Sequence, residues 1–264
     1  MKITVFTSNQ PRHISLIESL ASISDEVFAI QECNTIFPGR VNDFFQKSEV
    51  MQEYFGNVIT AERKVFGDLK FTSKNVSQLV IKNGDLNMMD LTTLSPALHS
   101  DYYVVFGSSY IKGSLIDFLI EKKAINIHMG VSPFYRGSSC NFWALFDGNI
   151  EYIGATIHRL SRGLDSGDML FHALPKAEST DPFVLGMNAV RSAHNSLIEY
   201  IKTGRINELT PLKQNKSQEI RYTRNRDFTD EVARHYLKNT PSKAEIKSKL
   251  EKRVLQKFLN PFIG

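Results

Sequence analysis

A carboxamide and an imidazole that could act together stand two residues apart, at Asn126 and His128, where the apolar segment AINIH ends. Side chains two apart on a strand point to the same face, so these groups would lie side by side. Both can donate hydrogen bonds to an oxygen that becomes negative during a reaction, and one such donor is typically worth about 3–4 kcal/mol. A carboxylate that could accept a proton follows at Asp165, between Gly163 and Gly167. These three side chains could together stabilise an oxyanion and move a proton.

Strand-like and helix-like segments alternate over the first 200 residues, which predicts an α/β sheet with crossover helices. Asn126 and His128 then fall at the carboxyl end of a strand, where open α/β sheets place ligands. Val41–Phe55 is expected to be a helix outside the sheet. Strands are predicted at Lys2–Thr7, Glu26–Cys33, Tyr102–Gly107, Ala124–His128 and Tyr152–Leu160, and helices at His13–Ser22, Gly113–Glu121, Ser138–Phe146 and Pro182–Lys202.

The composition limits the class of protein. Hydrophobic residues make up 42% and charged residues 23%, as in an average globular domain. No apolar run reaches the roughly 18 residues of a membrane span, and the first residues read as a buried strand rather than a signal peptide. Cys33 and Cys140 are the two cysteines, too few for a disulfide scaffold or a metal site built from cysteine alone. We expect a cytoplasmic protein without a metal.

The chain changes character near residue 205. Residues 201–264 hold 15 Lys and Arg against 7 Asp and Glu. Two short helices are predicted there; the second opens with Ser242 and Glu245, a capping-box pattern, and its apolar face repeats at Ile246, Leu250, Val254 and Phe258. We therefore predict a catalytic domain at 1–205 and an extension at 206–264 for substrate binding or dimerisation. Its charge could attract an anionic substrate, RNA or a second subunit, or could simply be solvated.

Three separated motifs carry a family resemblance: Asn126-Ile-His128, Ser132-Pro-Phe-Tyr-Arg-Gly137 and Gly163-Leu-Asp-Ser-Gly-Asp168. In this order they resemble the folate-dependent formyltransferases, most closely the sugar-nucleotide N-formyltransferases, which are related to methionyl-tRNA formyltransferase. The similarity covers residues 100–172 well and the first strand loosely. It implies a Rossmann-like sheet with helices on both faces, and formyl transfer from 10-formyltetrahydrofolate to a primary amine.

The resemblance also implies a role for each side chain. Asn126 and His128 would stabilise the oxyanion of a tetrahedral intermediate, while Asp165 would accept the proton of the amine and orient His128. Asp168 would lie beside the site, where a purely structural role in the loop is an open alternative. His158 is expected to belong to the core.

The loop Gly107–Lys112 is expected to line the folate pocket, because its family counterpart lines the pterin site. Ser109 and Tyr110 stand where the family commonly has apolar residues, and Ile111 follows them. Backbone groups usually contact the pterin edge, so this departure is tolerable. Near the first strand there is no Gly-x-Gly-x-x-Gly motif, which argues against a nicotinamide site, although Arg12 at a helix start could hold an anion.

The extension narrows the choice of acceptor substrate. Methionyl-tRNA formyltransferases carry a C-terminal β-barrel, whereas residues 206–264 read as mainly helical. The resemblance therefore favours an amino sugar attached to a nucleotide, as used in surface polysaccharide synthesis, with Tyr222 and Phe228 meeting the nucleotide. There are two alternative functions: transfer to an aminoacyl-tRNA, and folate binding without catalysis. A second copy of the chain, forming a homodimer, is also a candidate partner.

Overall fold

The computed structural model describes residues 1–33 and 48–264. The strands are β1 (Lys2–Thr7), β2 (Glu26–Cys33), β3 (Val76–Lys82), β4 (Tyr102–Val105), β5 (Ile125–His128), β6 (Tyr135–Gly137), β7 (Ala155–Arg159), β8 (Met169–Leu174), β9 (Arg221–Thr223) and β10 (Phe262–Ile263). The α-helices are α1 (Pro11–Ala21), α2 (Glu49–Phe66), α3 (Gly113–Glu121), α4 (Cys140–Phe146), α5 (Pro182–Lys202), α6 (Asp230–Lys238) and α7 (Lys243–Glu251).

Within the described residues, eight strands form the main sheet in the order β3-β2-β1-β4-β5-β7-β8-β10. Strand β7 runs antiparallel to β5 and β8, and every other pair is parallel. Successive residues of a strand face opposite sides: Val5 packs with α1 and α5 on one side, and Phe6 packs with α3 on the other. The predicted α/β sheet with helices on both faces is confirmed.

Most predicted elements agree with the structure in type, and β1, β2, α3 and α5 agree in their bounds. Positions 41–47 of the predicted Val41–Phe55 helix lie outside the described residues, and a helix is present from Glu49 to Phe66. Strands β3 and β8 were not predicted. Within residues 1–33 and 48–264, no helix has both the length and the apolarity needed to cross a membrane.

The extension packs against its own chain. Tyr236, Ile246, Leu250 and Phe258 join a buried cluster with the aromatic side chains of α4. Strand β9 pairs with β6, and β10 pairs with β8 at the edge of the main sheet. The prediction that one apolar face continues to Val254 is wrong, because α7 ends at Glu251 and leaves Val254 half exposed.

Part of the basic charge of the extension is used inside the molecule. Arg221 makes a two-pronged ion pair with Asp147, at 2.7 and 2.9 Å, and its guanidinium lies 4.6 Å from the ring of Trp143. Arg253 is largely buried, and burial lowers the pKa of its guanidinium to about 10. Its side chain donates to three backbone carbonyls, those of Glu151, Ile153 and Pro175. These two arginines therefore fasten residues 206–264 to the preceding part of the chain.

Replacing Gly137 by alanine should strongly destabilise the contact between β6 and β9. Gly137 has φ +89°, and an added Cβ would overlap the carbonyl oxygen of Thr223. The expected loss in free energy of unfolding exceeds the roughly 1–2 kcal/mol that a left-handed backbone alone costs alanine. Gly84→Ala is the matched control, because Gly84 has φ +94° and an added Cβ would meet nothing within 4 Å among residues 1–33 and 48–264. Urea unfolding followed by circular dichroism compares the two, and an equal loss in both variants would contradict this account.

Candidate active site

Strand β5 presents Asn126 and His128 on one face, and the loop that follows β7 returns to place Asp165 against both. His128 Nδ1 lies 3.2 Å from Asp165 Oδ2. Asn126 donates from Nδ2 to Asp165 Oδ1 at 3.2 Å. Asn126 and His128 are buried, at 9% and 6% exposure. The structure thus brings together the three residues predicted to be catalytic, although Asp165 lies 39 positions after Asn126 in the sequence.

The charges of His128 and Asp165 support one another. Burial lowers the pKa of the His128 imidazole, but the Asp165 carboxylate and Cys140 outweigh burial and raise that pKa to about 10. Burial also raises the pKa of Asp165, but His128 outweighs it and holds that pKa well below its ordinary value. At neutral pH the two residues therefore form an ion pair in which His128 is buried and Asp165 is partly exposed.

His158, expected as a core residue, is buried at 1% exposure and also contacts the predicted site. Its Nδ1 lies 2.8 Å from the carbonyl oxygen of Arg159, which assigns the ring proton to Nδ1. Its Nε2 then accepts from Asn126 Nδ2 at 2.9 Å. The antiparallel register of β5 and β7 sets Asn126 opposite His158. His158 therefore fixes the orientation of the Asn126 amide.

Cys140 is a second neighbour that sequence reasoning did not single out. Its Sγ lies 3.5 Å from His128 Nε2, on the side of the ring away from Asp165. An added Cβ at Gly130 would overlap Cys140, so a glycine is needed beside this pair. Sulfur is a weak hydrogen-bond acceptor. Cys140 therefore holds the Nε2 proton of His128 only weakly.

A cavity of about 350 Å³ opens above these residues. Arg12 and the Gly107–Lys112 loop border it, including Ser109, Tyr110 and Ile111. Apolar side chains form much of the remaining wall: Val105, Phe106, Ile116, Leu160 and Leu164. The cavity therefore joins an apolar compartment to the polar group of Asn126, His128 and Asp165, a combination typical of small-molecule sites.

The predicted cofactor residues make specific contacts around this cavity. Ser109 donates from its backbone N to Glu32 Oε2 at 2.6 Å and from its hydroxyl to Glu32 Oε1 at 2.9 Å. Glu32 is fully buried and also accepts from the Gly84 backbone N at 2.8 Å. The Tyr110 hydroxyl donates to the carbonyl of Arg162 across the cavity mouth, and Ile111 is buried in the core. Glu32 thus anchors the Gly107–Lys112 loop, a role that the sequence analysis did not predict.

Four other predicted site residues are placed less centrally. Arg12 borders the cavity but forms an ion pair with the buried Glu62 at 2.8 Å. Asp168 is not among the residues that line the cavity, and its backbone carbonyl accepts from Arg159 N at 2.9 Å. Tyr222 is half exposed, with its ring 5.9 Å from the guanidinium of Arg136. Phe228 packs on Tyr54 and Phe142, at ring distances of 4.9 and 4.7 Å. Binding roles for these four residues stay predictions.

The formyl transferase family model matches residues 2–200. The chain belongs to this family. Two curated relatives are methionyl-tRNA formyltransferases. The one from Anaeromyxobacter dehalogenans is 30% identical over 123 residues, 46% of this chain and 39% of the relative. The one from Lachnospira eligens is 34% identical over 96 residues, 36% of this chain and 30% of the relative. The matched segments thus span well under half the length of these relatives.

Solved structures share the fold. A 4-N formyltransferase from Francisella tularensis superposes with a TM-score of 0.52 at 18% identity, covering 86% of this chain and 77% of that chain. The formyltransferase PseJ from Anoxybacillus kamchatkensis, in complex with UDP-4,6-dideoxy-4-formamido-L-AltNAc and tetrahydrofolate, gives 0.52 at 17% identity, covering 95% of this chain and all of that one. At this identity the similarity is one of fold.

Asp165→Asn should move the titration of His128 to much lower pH. The raised pKa of His128 depends on the Asp165 anion, and without it burial works toward a value below 6.5. In wild type the raised pKa of His128 contributes to the free energy of unfolding. This contribution is complete below pH 6.5 and is lost as pH rises toward about 10. The stabilisation linked to Asp165 is complete above its ordinary pKa of 3.8 and is lost as pH falls below that value.

NMR titration of the His128 ring, together with unfolding measured across this pH range, checks that expectation. Asp68→Asn serves as a control, because Asp68 is exposed and pairs with Arg63 of α2. A His128 midpoint that stays near its wild-type value in Asp165→Asn would contradict the ion-pair account.

Glu32→Gln should loosen the Gly107–Lys112 loop. The substitution keeps the side-chain size but sets an amide N–H where a carboxylate oxygen now accepts a hydrogen bond. An unmade buried hydrogen bond costs about 1–3 kcal/mol. Hydrogen exchange at Ser109 N and Gly84 N should therefore become faster. Glu26→Gln on the same strand is the matched control, since Glu26 is partly exposed and pairs with Lys2 at the sheet rim. Unchanged protection of Ser109 in Glu32→Gln would disprove the anchoring role.

Proposed function

We propose that this protein transfers a formyl group from 10-formyltetrahydrofolate to the primary amine of a nucleotide-linked amino sugar. The observation that carries the proposal is the ion pair of His128 and Asp165, hydrogen-bonded to Asn126, at one end of an apolar cavity. Membership of the formyl transferase family supports the same reaction class.

The donor fits the cavity by chemistry. The apolar side chains of Phe106, Ile111 and Ile116 suit a flat heteroaromatic ring, and the Gly107–Lys112 backbone offers polar groups at its edge. When bound, 10-formyltetrahydrofolate supplies the activated formyl group. The neighbour from Anoxybacillus kamchatkensis, which was solved with tetrahydrofolate, supports this choice of donor.

His128 supplies a hydrogen-bond donor for the formyl oxygen as it gains negative charge, and Asn126 supplies a second one when its 3.2 Å hydrogen bond to Asp165 is exchanged for that oxygen. The positive charge on His128 strengthens this contact in a buried site, since charge-assisted hydrogen bonds are roughly twice as strong as neutral ones. Cys140 holds the reactive side of the ring only weakly, at 3.5 Å, so an oxyanion can replace it. His158 keeps the Asn126 amide oriented during this exchange.

Asp165 accepts the proton that the attacking amine must lose, either directly or through water. Its low pKa in the resting site makes it a weak base, because the neighbouring imidazolium stabilises its charge. A negative oxygen beside His128 offsets that positive charge. Asp165 then becomes more basic at the stage at which the amine has to be deprotonated.

The amino-sugar acceptor is supported by the complex of the Anoxybacillus kamchatkensis relative with a UDP-linked formamido sugar. A second recess of about 840 Å³ in this chain is lined by Phe228 and Ser139, and Ser139 precedes Cys140 at the start of α4. Phe228 offers an aromatic face there for a nucleotide base. Cell-surface polysaccharide synthesis would be the setting for such a product.

An aminoacyl-tRNA is the second candidate acceptor, because the curated relatives that are about 30% identical are methionyl-tRNA formyltransferases. The basic extension could meet RNA phosphates. Against this, Arg221 and Arg253 use their charge in contacts within the chain. Tight, strongly salt-dependent RNA binding would favour this candidate.

Formyl transfer to a panel of nucleotide-linked amino sugars, read by mass spectrometry, tests the proposal. We expect a mass gain of one formyl group on one sugar, with the rate lowered on the order of 10²- to 10³-fold in Asn126→Ala through loss of an oxyanion donor. Asn207→Ala is a control at an exposed amide outside the cavity, where Asn207 donates to the Tyr102 hydroxyl. Transfer to charged initiator tRNA, with no turnover of any sugar, would overturn the acceptor class.

A further inference from the structure

The loop Ser161–Asp168, here called the carboxylate loop, holds its key residue in an unfavourable backbone conformation. Asp165 has φ +44°, in the left-handed region that side chains other than glycine seldom adopt. Such a conformation persists where surrounding contacts enforce it. The carboxylate of Asp165 reaches His128 and Asn126 from this turn, so whatever holds the turn also sets the geometry of the ion pair.

One side of the carboxylate loop rests on β7. An added Cβ at Gly167 would overlap the carbonyl oxygen of Arg159, and Arg159 N donates to the carbonyl of Asp168 at 2.9 Å. These contacts fix the end of the loop against the strand that carries His158. They leave the carbonyls of Asp165 and Gly167 directed toward a different part of the chain.

That part is the extension. Gln214 donates from Nε2 to the carbonyl oxygens of Asp165, at 2.8 Å, and Gly167, at 3.0 Å. Both amide protons of Gln214 are thereby used on the carboxylate loop. Leu212 and Met169 exchange two backbone hydrogen bonds, each of 2.8 Å, and hold the segment before Gln214 in register beside β8.

The other end of the same amide indicates how specific this contact is. Gln214 Oε1 is buried and has no hydrogen-bond partner within residues 1–33 and 48–264. Turning the amide over would set that oxygen against two carbonyl oxygens, which would be repulsive. Leaving a buried acceptor unpaired costs about 1–3 kcal/mol. The two hydrogen bonds to the carbonyls of the carboxylate loop therefore outweigh the cost of the unpaired oxygen and fix the orientation of the Gln214 amide.

We propose that Gln214 is a positioning residue through which the extension braces the carboxylate loop and so completes the catalytic group. The extension then has a role in the chemical step that is separate from acceptor recognition. Gln214 touches neither reacting group; it acts on Asp165 through the backbone of residues 165 and 167. For the transfer rate, this inference rests on the proposed function, whereas its structural part does not.

The test replaces Gln214 by methionine, which has a similar length and no amide protons. Gln218→Met is the matched control, because Gln218 lies exposed in the same segment. We expect kcat to fall roughly 10- to 100-fold in Gln214→Met, as expected for a small displacement of a catalytic group. KM for both substrates should change little. Gln214→Asn retains the two donors on a shorter stem and should recover part of the lost rate.

The ring titration of His128 supplies a readout that general destabilisation would not move. Asp165, Cys140 and His158 are the titratable groups that face this imidazole. If Gln214 holds Asp165 in place, the NMR midpoint of His128 moves to lower pH in Gln214→Met and stays at the wild-type value in Gln218→Met. A wild-type midpoint in folded Gln214→Met would overturn the proposal, as would an unchanged kcat.

Failure of this inference can be told from failure of the proposed function. If the wild-type protein formylates no amino sugar, the acceptor proposal fails, while the His128 titration of the two variants still decides the role of Gln214. If the wild type is active and both variants match it in rate and in midpoint, Gln214 has no positioning role and the proposed function stands.

Discussion

A positive and a negative charge are kept together in a largely buried place, at His128 and Asp165, and the surrounding structure has to make that arrangement stable. Removing two ions from water costs several kcal/mol for each, and their attraction compensates only when the geometry is good and the remaining polar atoms are satisfied. Asn126 bonds one oxygen of the carboxylate, and His128 lies against the other. A pair held in this way is charged in advance, so little reorganisation is needed when charge develops on a substrate.

Three distant parts of the chain converge on this pair, each through a different kind of contact. Strand β5 fixes the amide and the imidazole by the pleat of the sheet. The antiparallel strand β7 adds His158 in register with Asn126. Gln214 of the extension binds the backbone of the carboxylate loop. Since these contacts join segments far apart in sequence, residues 206–264 form one packed unit with the earlier strands around the site, rather than a loose basic tail.

Local sequence patterns were sufficient for the parts of the molecule that depend on local physics. The apolar run Lys2–Thr7 and the periodic apolar face of Pro182–Lys202 have the predicted bounds. The candidate catalytic residues Asn126, His128 and Asp165 could be named because a spacing of two on a strand settles which side chains share a face, and because their motifs resemble a family. Strand β8 was missed since MLFHAL is buried throughout and shows no alternation.

The contacts that were not predicted depend on register between distant segments. His158 reads as a core histidine until β7 is known to pair antiparallel with β5, and Glu32 reads as the end of a strand until the Gly107–Lys112 loop is seen to donate to it. The basic extension is a similar case. Its net charge predicted either an anionic partner or a solvated surface. Net charge does not show that Arg221 and Arg253 bond to groups within the chain. It also does not show that the uncharged Gln214 contacts the carboxylate loop.

The position of Gln214 also bears on how acceptor recognition and chemistry could be linked. The segment that carries it continues into β9 and the turn before Phe228, which lines the recess near Ser139. On the function proposed above, an acceptor bound in that recess would contact Asn225 and Phe228, which follow Gln214 in the same extension. Binding free energy gained there could therefore tighten the carboxylate loop, so that full reactivity develops only when the acceptor is in place. On the proposed function, Asp165 would be less well positioned when water enters the site without the acceptor. This would favour transfer to the amine over hydrolysis of the formyl donor.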